Sequence, residues 1–245
     1  MAPDPSGPRL SKLDSERFGI VAARLDVLTP ETLPATLAFC AERHVKLLIA
    51  NARAEEHAAV YAAQQQRFEV MDVILVFERR FGTEPLPEID ASVEIRPFAV
   101  GEEAAISELG RLSFEGYVGH YQADPRLDPA RTAEIYPDWT RRLLASRDVD
   151  HEVLVAVSGG QIVGFHALER RDQCVFLPLS GVRRGIHGKH VYQAMNTRGM
   201  EWSVARGART TVGAVQIANP AIQRALVRLG YLPDHSYYTF HKWFD

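Results

Sequence analysis

From Val175 to Tyr231 the chain reads as a strand, a basic glycine-containing turn, a helix, a second strand, Asn219-Pro220 and a short second helix. No other stretch limits the fold as much. The turn, Arg183 to His190 (RRGIHGKH), joins the apolar run CVFLPLSGV to a helix opening near Val191. At such a helix start the free backbone N–H groups and the positive end of the helix dipole converge, an arrangement suited to gripping phosphate. Arg183, Arg184, Lys189 and two histidines add formal or potential positive charge. The segment points to a ligand carrying a pyrophosphate.

That anion site has to be local. The formal net charge is −3 and the pI is near 6.3, so no global positive field draws the chain to nucleic acid or to an anionic membrane. A length of 245 residues allows one large domain or two modest ones. Cys40 and Cys174 both lie in apolar segments, which argues against a disulfide framework and for a reducing cytoplasm. Residues 1–12 are Pro-rich, lack an apolar core and read as a disordered lead-in instead of a signal peptide. No apolar run is long enough to span a bilayer.

Along the chain, Phe18–Leu25, Val45–Ala50 and Phe68–Phe77 read as strands alternating with helices opened by Thr29-Pro30 and near Ala54. Residues 13–80 therefore form a small β-α-β-α-β domain. RRFGTEPLPEIDAS combines Pro, Gly and acidic residues, and places a linker at 81–92. The second part, 93–245, reads β-α-α-β-β-β-α-β-α-β. It has a hairpin at Ser158-Gly159-Gly160, a helix from Ala130 to about Ser146, and a helix end at Gly207. The expected class is α/β (α+β) with a mixed sheet.

This element order, the turn after its fourth strand, and Asn219-Pro220-Ala221 leading into LVRLGY resemble the GNAT acetyltransferase superfamily over roughly Val93 to Phe244. Within it the chain is most similar to the two-domain dTDP-4-amino-sugar (dTDP-fucosamine) acetyltransferases. Those enzymes also open with a half-domain entered by a segment like DSERFGIVAARL, and carry an aromatic helix comparable to IYPDWTRRLL. The resemblance implies an N-acyltransferase moving an acetyl or related acyl group from acetyl-CoA, or another acyl-CoA, to a small-molecule amine. A nucleotide-linked amino sugar or a natural-product intermediate is among the acceptors it implies. It further implies a GNAT-like domain at 93–245 and a monomer or homodimer, and no HxxxH, CxxC or carboxylate cluster in the sequence suggests a metal.

The family's acyl-CoA loop runs R/Q-x-x-G-x-G/A. Set against it, His187-Gly188-Lys189-His190-Val191-Tyr192 matches at Gly188 and Lys189, while His190 and Tyr192 stand where small residues are expected. A Cβ at those two positions could obstruct a pyrophosphate or re-aim the loop. By the same resemblance, backbone groups from Leu179 through Gly181 to Val182 hold the pantetheine arm, and Asn219 hydrogen-bonds it. Pro178 supports interrupted pairing there, since proline gives a ladder no donor. Asn219 before Pro220 is also a good helix N-cap, and the two roles are compatible.

Acyl transfer needs a held thioester, a neutral amine and stabilisation of the oxyanion and the departing thiolate. The family's usual acid, a tyrosine seven residues after the asparagine, is Leu226 here. Tyr231 is a substitute, although an aromatic residue at a C-terminal strand is more often core. His166, read as facing the acceptor cleft, and Glu169 are the base candidates. A lone strand histidine is more often a satisfied core residue, so both readings stand. Tyr117, Tyr121, Arg126 and Tyr136 suit stacking on a base or sugar and pairing with a phosphate, against the alternative of a solvated loop and an amphipathic helix. The departures at His190, Tyr192 and Leu226 keep two further readings open. One is a donor borne on an acyl carrier protein, which has no 3′-phospho-ADP to hold. The other is an inactive GNAT-like small-molecule binding module.

Overall fold

In the computed structural model of the chain, residues 7–82, 84–88, 92–146, 148–186 and 190–244 are described. The first part comprises β1 (Arg9–Leu10), α1 (Lys12–Phe18), β2 (Ala22–Leu25), α2 (Thr32–Glu42), β3 (Leu47–Arg53), α3 (His57–Gln65) and β4 (Glu69–Arg80). Then follow β5 (Glu94–Pro97), α4 (Glu103–Ser113), α5 (Pro129–Ala133), α6 (Ile135–Ala145), β6 (His151–Ser158), β7 (Gln161–Arg171), β8 (Cys174–Leu177) and β9 (Ser180–Val182). The chain ends with α7 (Val191–Ala205), β10 (Thr210–Gln216), α8 (Pro220–Arg228) and β11 (Leu232–Trp243). The class is the expected α/β with a mixed sheet. Among the described residues no helix is long and apolar enough to cross a membrane.

Local differences from the sequence reading have local causes. The segment before β2 holds a helix, α1, because the Ser11 hydroxyl caps it by accepting from the Asp14 N–H, and Gly19 closes it at φ 68°. The helix expected over 130–146 is divided at Glu134 into α5 and α6. The strand expected over 174–182 is divided at Pro178-Leu179 into β8 and β9. Residues 83 and 89–91 of the expected linker lie outside the described residues.

One sheet runs through both parts in the order β1-β2-β3-β11-β4-β10-β8-β7-β6-β5, with β9 paired to β7 beyond the end of β8. The pairs β2–β3 and β8–β10 are parallel. The C-terminal strand β11 lies between β3 and β4, antiparallel to both, with two register shifts against β4. β3 and β4, read from sequence as neighbours in one unit, are therefore joined only through the far end of the chain.

Strand alternation sends successive side chains to opposite faces. The first face carries α2, α3, α7 and α8. There Phe240 packs with Leu48 and Ala50, and Phe77, Val215, Leu226 and Tyr231 with Met200. The second face carries α4 and α6 over Val155, Phe165, Ala167 and Leu179. Farther along it, the segment 120–135 lies over Leu47 and Ile49. Between these two coverings the central strands stay open: Ala214 is exposed, and Ile74, Val212 and Phe176 are half-buried.

Candidate active site

β8 runs beside β10 from Cys174 to Leu177, opposite Thr210 to Gly213. Past Leu177 the chain leaves β10. Proline at 178 offers no N–H to continue that ladder, β9 pairs only with β7, and β10 continues to Gln216 beside β4. The two strands thus diverge into a wedge. Ala167 N–H donates to the Leu179 carbonyl at 2.9 Å and Arg183 N–H to the Val163 carbonyl at 2.8 Å, with Gly181 opposite Phe165. Antiparallel alternation then turns the backbone of Leu179 and Gly181 toward β7, and that of Ser180 and Val182 toward the wedge. The Val182 carbonyl accepts from the Ser113 hydroxyl at 3.3 Å.

Among the described residues, no side chain caps the helix start next to this wedge. His190 precedes α7 at φ 45° with no side-chain cap bond, and no acidic residue lies in the first turn. The leading N–H groups and the positive helix end are therefore uncompensated by the helix's own side chains. In the preceding turn, Gly185 takes φ 83° and the Arg184 guanidinium donates to the Glu115 carbonyl. Arg183 donates to Gln161 Oε1 at 3.0 Å.

No family model matches the chain. It is 32% identical over 151 residues to the spore coat polysaccharide biosynthesis protein SpsD of Bacillus subtilis (strain 168), a match covering 61% of this chain and 50% of that protein. The chain thus spans half the length of this curated relative. Among solved structures it is similar to a GCN5-related N-acetyltransferase from Sphaerobacter thermophilus, with TM-score 0.67, 17% identity, and 96% of this chain against 76% of that one. A tandem GNAT protein from the clavulanic acid biosynthesis pathway matches at TM-score 0.62 and 12% identity, over 91% of this chain and 75% of that one. The chain has the GNAT fold. The wedge and the α7 start are where the sequence resemblance set the fold's thioester-holding strand and its phosphate-gripping helix.

The residues expected at a GNAT site fall into distinct groups. His187, Gly188 and Lys189 lie outside the described residues. Leu179 and Gly181 are corrected in role: their backbone groups serve the β7 ladder, and Ser180, not singled out in the sequence, shares the wedge-facing direction with Val182. Val191 is buried against Met195 and Val163. Tyr192 turns its ring from the loop into the core beside Leu226, 6.4 Å from the His166 ring. Burial there pushes its hydroxyl up to about 12, and its Cβ belongs to the helix body instead of obstructing the turn. Asn219 caps α8, its carboxamide oxygen accepting from Ile222 N–H at 3.3 Å.

Two expected catalytic groups are corrected. His166 is fully buried on the α7 face, not the open one. Its Nδ1 is 2.6 Å from the Ser180 hydroxyl, and its Nε2 has no partner among the described residues, being packed against Gly199. Burial lowers its pKa to about 3, so it has no access to an acceptor amine. Tyr231 is also fully buried, its hydroxyl 3.3 Å from Asn196 Oδ1 and 3.4 Å from Thr211 Oγ1. Burial raises its pKa further, which suits a core residue and not a proton donor to a thiolate. Glu169 does lie on the open face, opposite Phe176 where β8 and β10 are still paired, and is ion-paired with Arg171 at 2.7 Å.

The aromatic segment divides in the same way. The Tyr121 hydroxyl donates to Asp14 at 2.6 Å and accepts from Arg24, which fixes it in the core. Arg126 is held by Glu69 at 2.9 Å and Asp124 at 3.0 Å, and lies over the Trp243 ring. It has no charge to spare for a phosphate. Tyr117 and Tyr136 stay half-buried, their ring centroids 5.2 Å apart edge-on, with Phe114 stacked 4.3 Å from Tyr136. They stand over the open strip with Asp72 of β4, Gln216 of β10 and Tyr237 of β11. Asp72 and Gln216 were missed in the sequence; the signal was a carboxylate inside the apolar run FEVMDVILVF, since a strand buries a charge only for a reason.

Among the described residues no group of three His, Cys, Asp or Glu side chains is placed to hold a metal ion.

Proposed function

We propose that the chain is an N-acyltransferase that takes an acyl group from a CoA thioester to the amine of a small molecule, with a nucleotide-linked amino sugar as the favoured acceptor. The observation that carries this reading is the wedge between β9 and β10 opening beside the start of α7, where His190 makes no side-chain cap bond. The wedge offers the Ser180 and Val182 N–H groups to an extended amide-bearing arm and to a developing oxyanion. The helix start, with Arg183 and Arg184 in the turn before it, suits the phosphates at the other end of the same molecule. An amine lying on the open strip approaches the wedge from the side opposite α7. Attack forms the C–N bond, the C–S bond breaks, and the amine's proton passes to a base on the open face or to water. With leucine at position 226 and Tyr231 buried, neither of these two positions protonates the departing thiolate. The relative in spore coat polysaccharide biosynthesis supports a sugar-linked acceptor.

Calorimetry with acetyl-CoA, followed by thiol release with nucleotide-linked amino sugars, tests the reading. Absence of both binding and turnover would remove it.

The same two buried residues favour a second reading, a binding module that holds a thioester or amine without turnover. His190→Gly together with Leu226→Tyr separates the two. If the native chain already turns over, and the double variant is no faster, the inactive-module reading fails.

A further inference from the structure

We propose that Asp72 is the receptor for a substrate ammonium group, so that the N-terminal part of the chain selects a cationic amine for the open face. The inference deepens the acyl-transfer reading and rests on it for what happens after the amine is bound.

The geometry comes first. Asp72 lies on β4, two residues along from Ile74, which stands opposite both Gln216 of β10 and Tyr237 of β11. All four side chains therefore share the open face. The carboxylate is half-buried and held in place by donors: Gln216 Nε2 at 2.6 Å, its own neighbour Val73 N–H at 2.8 Å and the His120 backbone N–H. Gln216 is fixed in turn, donating also to the Val118 carbonyl at 2.8 Å.

These partners are all neutral. Among the described residues, no arginine, lysine or histidine forms an ion pair with Asp72, whereas the buried Asp14 and Asp124 are paired with Arg24 and with Arg126 and His241. Burial raises the Asp72 pKa from its ordinary value, and the Gln216, Val73 and His120 hydrogen bonds only partly counter it. Its charge is felt at Tyr117, Tyr136 and Tyr237, where it adds to burial in keeping the hydroxyls protonated. A fixed carboxylate without a cation among the described residues, with three tyrosines near enough to feel its charge, is a setting in which an ammonium gains a charge-assisted hydrogen bond and can reach aromatic faces. A neutral hydroxyl compound gains neither charge term.

The probes are cyclohexylamine and cyclohexanol, alike in shape and different in charge at neutral pH, titrated against the full chain by ligand-observed NMR. The native chain is expected to bind the amine at least about tenfold more tightly than the alcohol, the usual worth of one hydrogen bond to a charged group. Asp72→Asn is expected to abolish the difference. If that variant is not folded by circular dichroism, Asp72→Ser, which removes the charge and leaves Gln216 a partner, gives the same comparison. Equal binding of amine and alcohol by the native chain, or a preference that survives loss of the charge, overturns the proposal. Acetyl-CoA calorimetry on the same samples keeps the readings apart. A native chain that prefers the amine but does not bind acetyl-CoA retains the ammonium site and loses the acyl-transfer reading.

Discussion

His190 shows what one side chain costs in a left-handed backbone position. Its φ of 45° is left-handed, a conformation that glycine takes freely and that costs an L side chain roughly 1–2 kcal/mol. The resemblance asks for a small residue at this position, and the backbone has the shape such a residue would adopt. His190→Gly is expected to stabilise the fold by about 1 kcal/mol, part of the strain relief being offset by the greater freedom of glycine in the unfolded chain. The check is a higher urea midpoint at unchanged slope. His166 gives a residue-scale prediction of a different kind. Its folded pKa is lowered by burial to about 3, against about 6.5 unfolded. Between those values the unfolded chain binds the extra proton, so stability is complete above about pH 6.5 and is lost as pH falls toward 3. His120, lowered in the same direction by burial and by the nearby His241, adds to the slope. His166→Gln has no proton to bind there, and its urea midpoint is expected to vary less across that range than the native one. An equal slope would mean that His166 is not held neutral by the fold.

At the scale of elements, the wedge depends on β9 being pinned to β7 while leaving β10. Gly181 makes that pinning close. A Cβ placed there would come within 2.4 Å of the Phe165 ring and 3.0 Å of the Ser113 hydroxyl oxygen. Gly181→Ala should therefore destabilise by about 1–3 kcal/mol through overpacking, measurable in thermal or urea unfolding. Its effect on acetyl-CoA binding is expected to follow the displacement of β9, since its N–H faces away from the wedge. Elements of this kind were well marked in the sequence. Pro178 announced the break, Asn219-Pro220 the start of α8, Gly159-Gly160 the β6–β7 hairpin, and the basic turn the start of α7, because each is a local backbone constraint written in one or two residues. Which face a strand residue takes was not so written. His166 and Glu169 sit three positions apart on β7 and point to opposite sides, so His166, read as facing the cleft, lies buried under α7, while Glu169 lies on the open face. Tyr231 and Tyr121 were misread for a related reason: a tyrosine's partner is set by tertiary packing, and Asn196, Thr211 and Asp14 come from distant parts of the chain. Asp72 was the converse, an anomaly visible in its own strand whose neighbours could not be foreseen.

For the whole molecule, the decisive feature is the position of β11. It binds β3 on one side over Leu47–Arg53 and β4 on the other over nearly its full length. The fully buried Phe240 lies in the core formed with α2 and α3, and Phe68 meets its ring edge-on. The first eighty residues thus have strands, helices and apolar faces of their own, yet lack the strand that joins them. It also follows that Asp72 reaches the open face only when the C-terminal strand has closed the sheet, so folding and completion of the proposed acceptor site are one event. A fragment limited to residues 7–82 is expected to show no cooperative unfolding transition, because β3 and β4 would each present an unpaired edge and the site of Phe240 would be empty. In the full chain Phe240→Ala, which removes one buried aromatic ring, is expected to cost about 3–5 kcal/mol and to lower a single transition seen alike by far- and near-ultraviolet circular dichroism. Two transitions, with only the earlier one moved by the substitution, would instead show that the N-terminal part folds by itself and that β11 is an accessory to it.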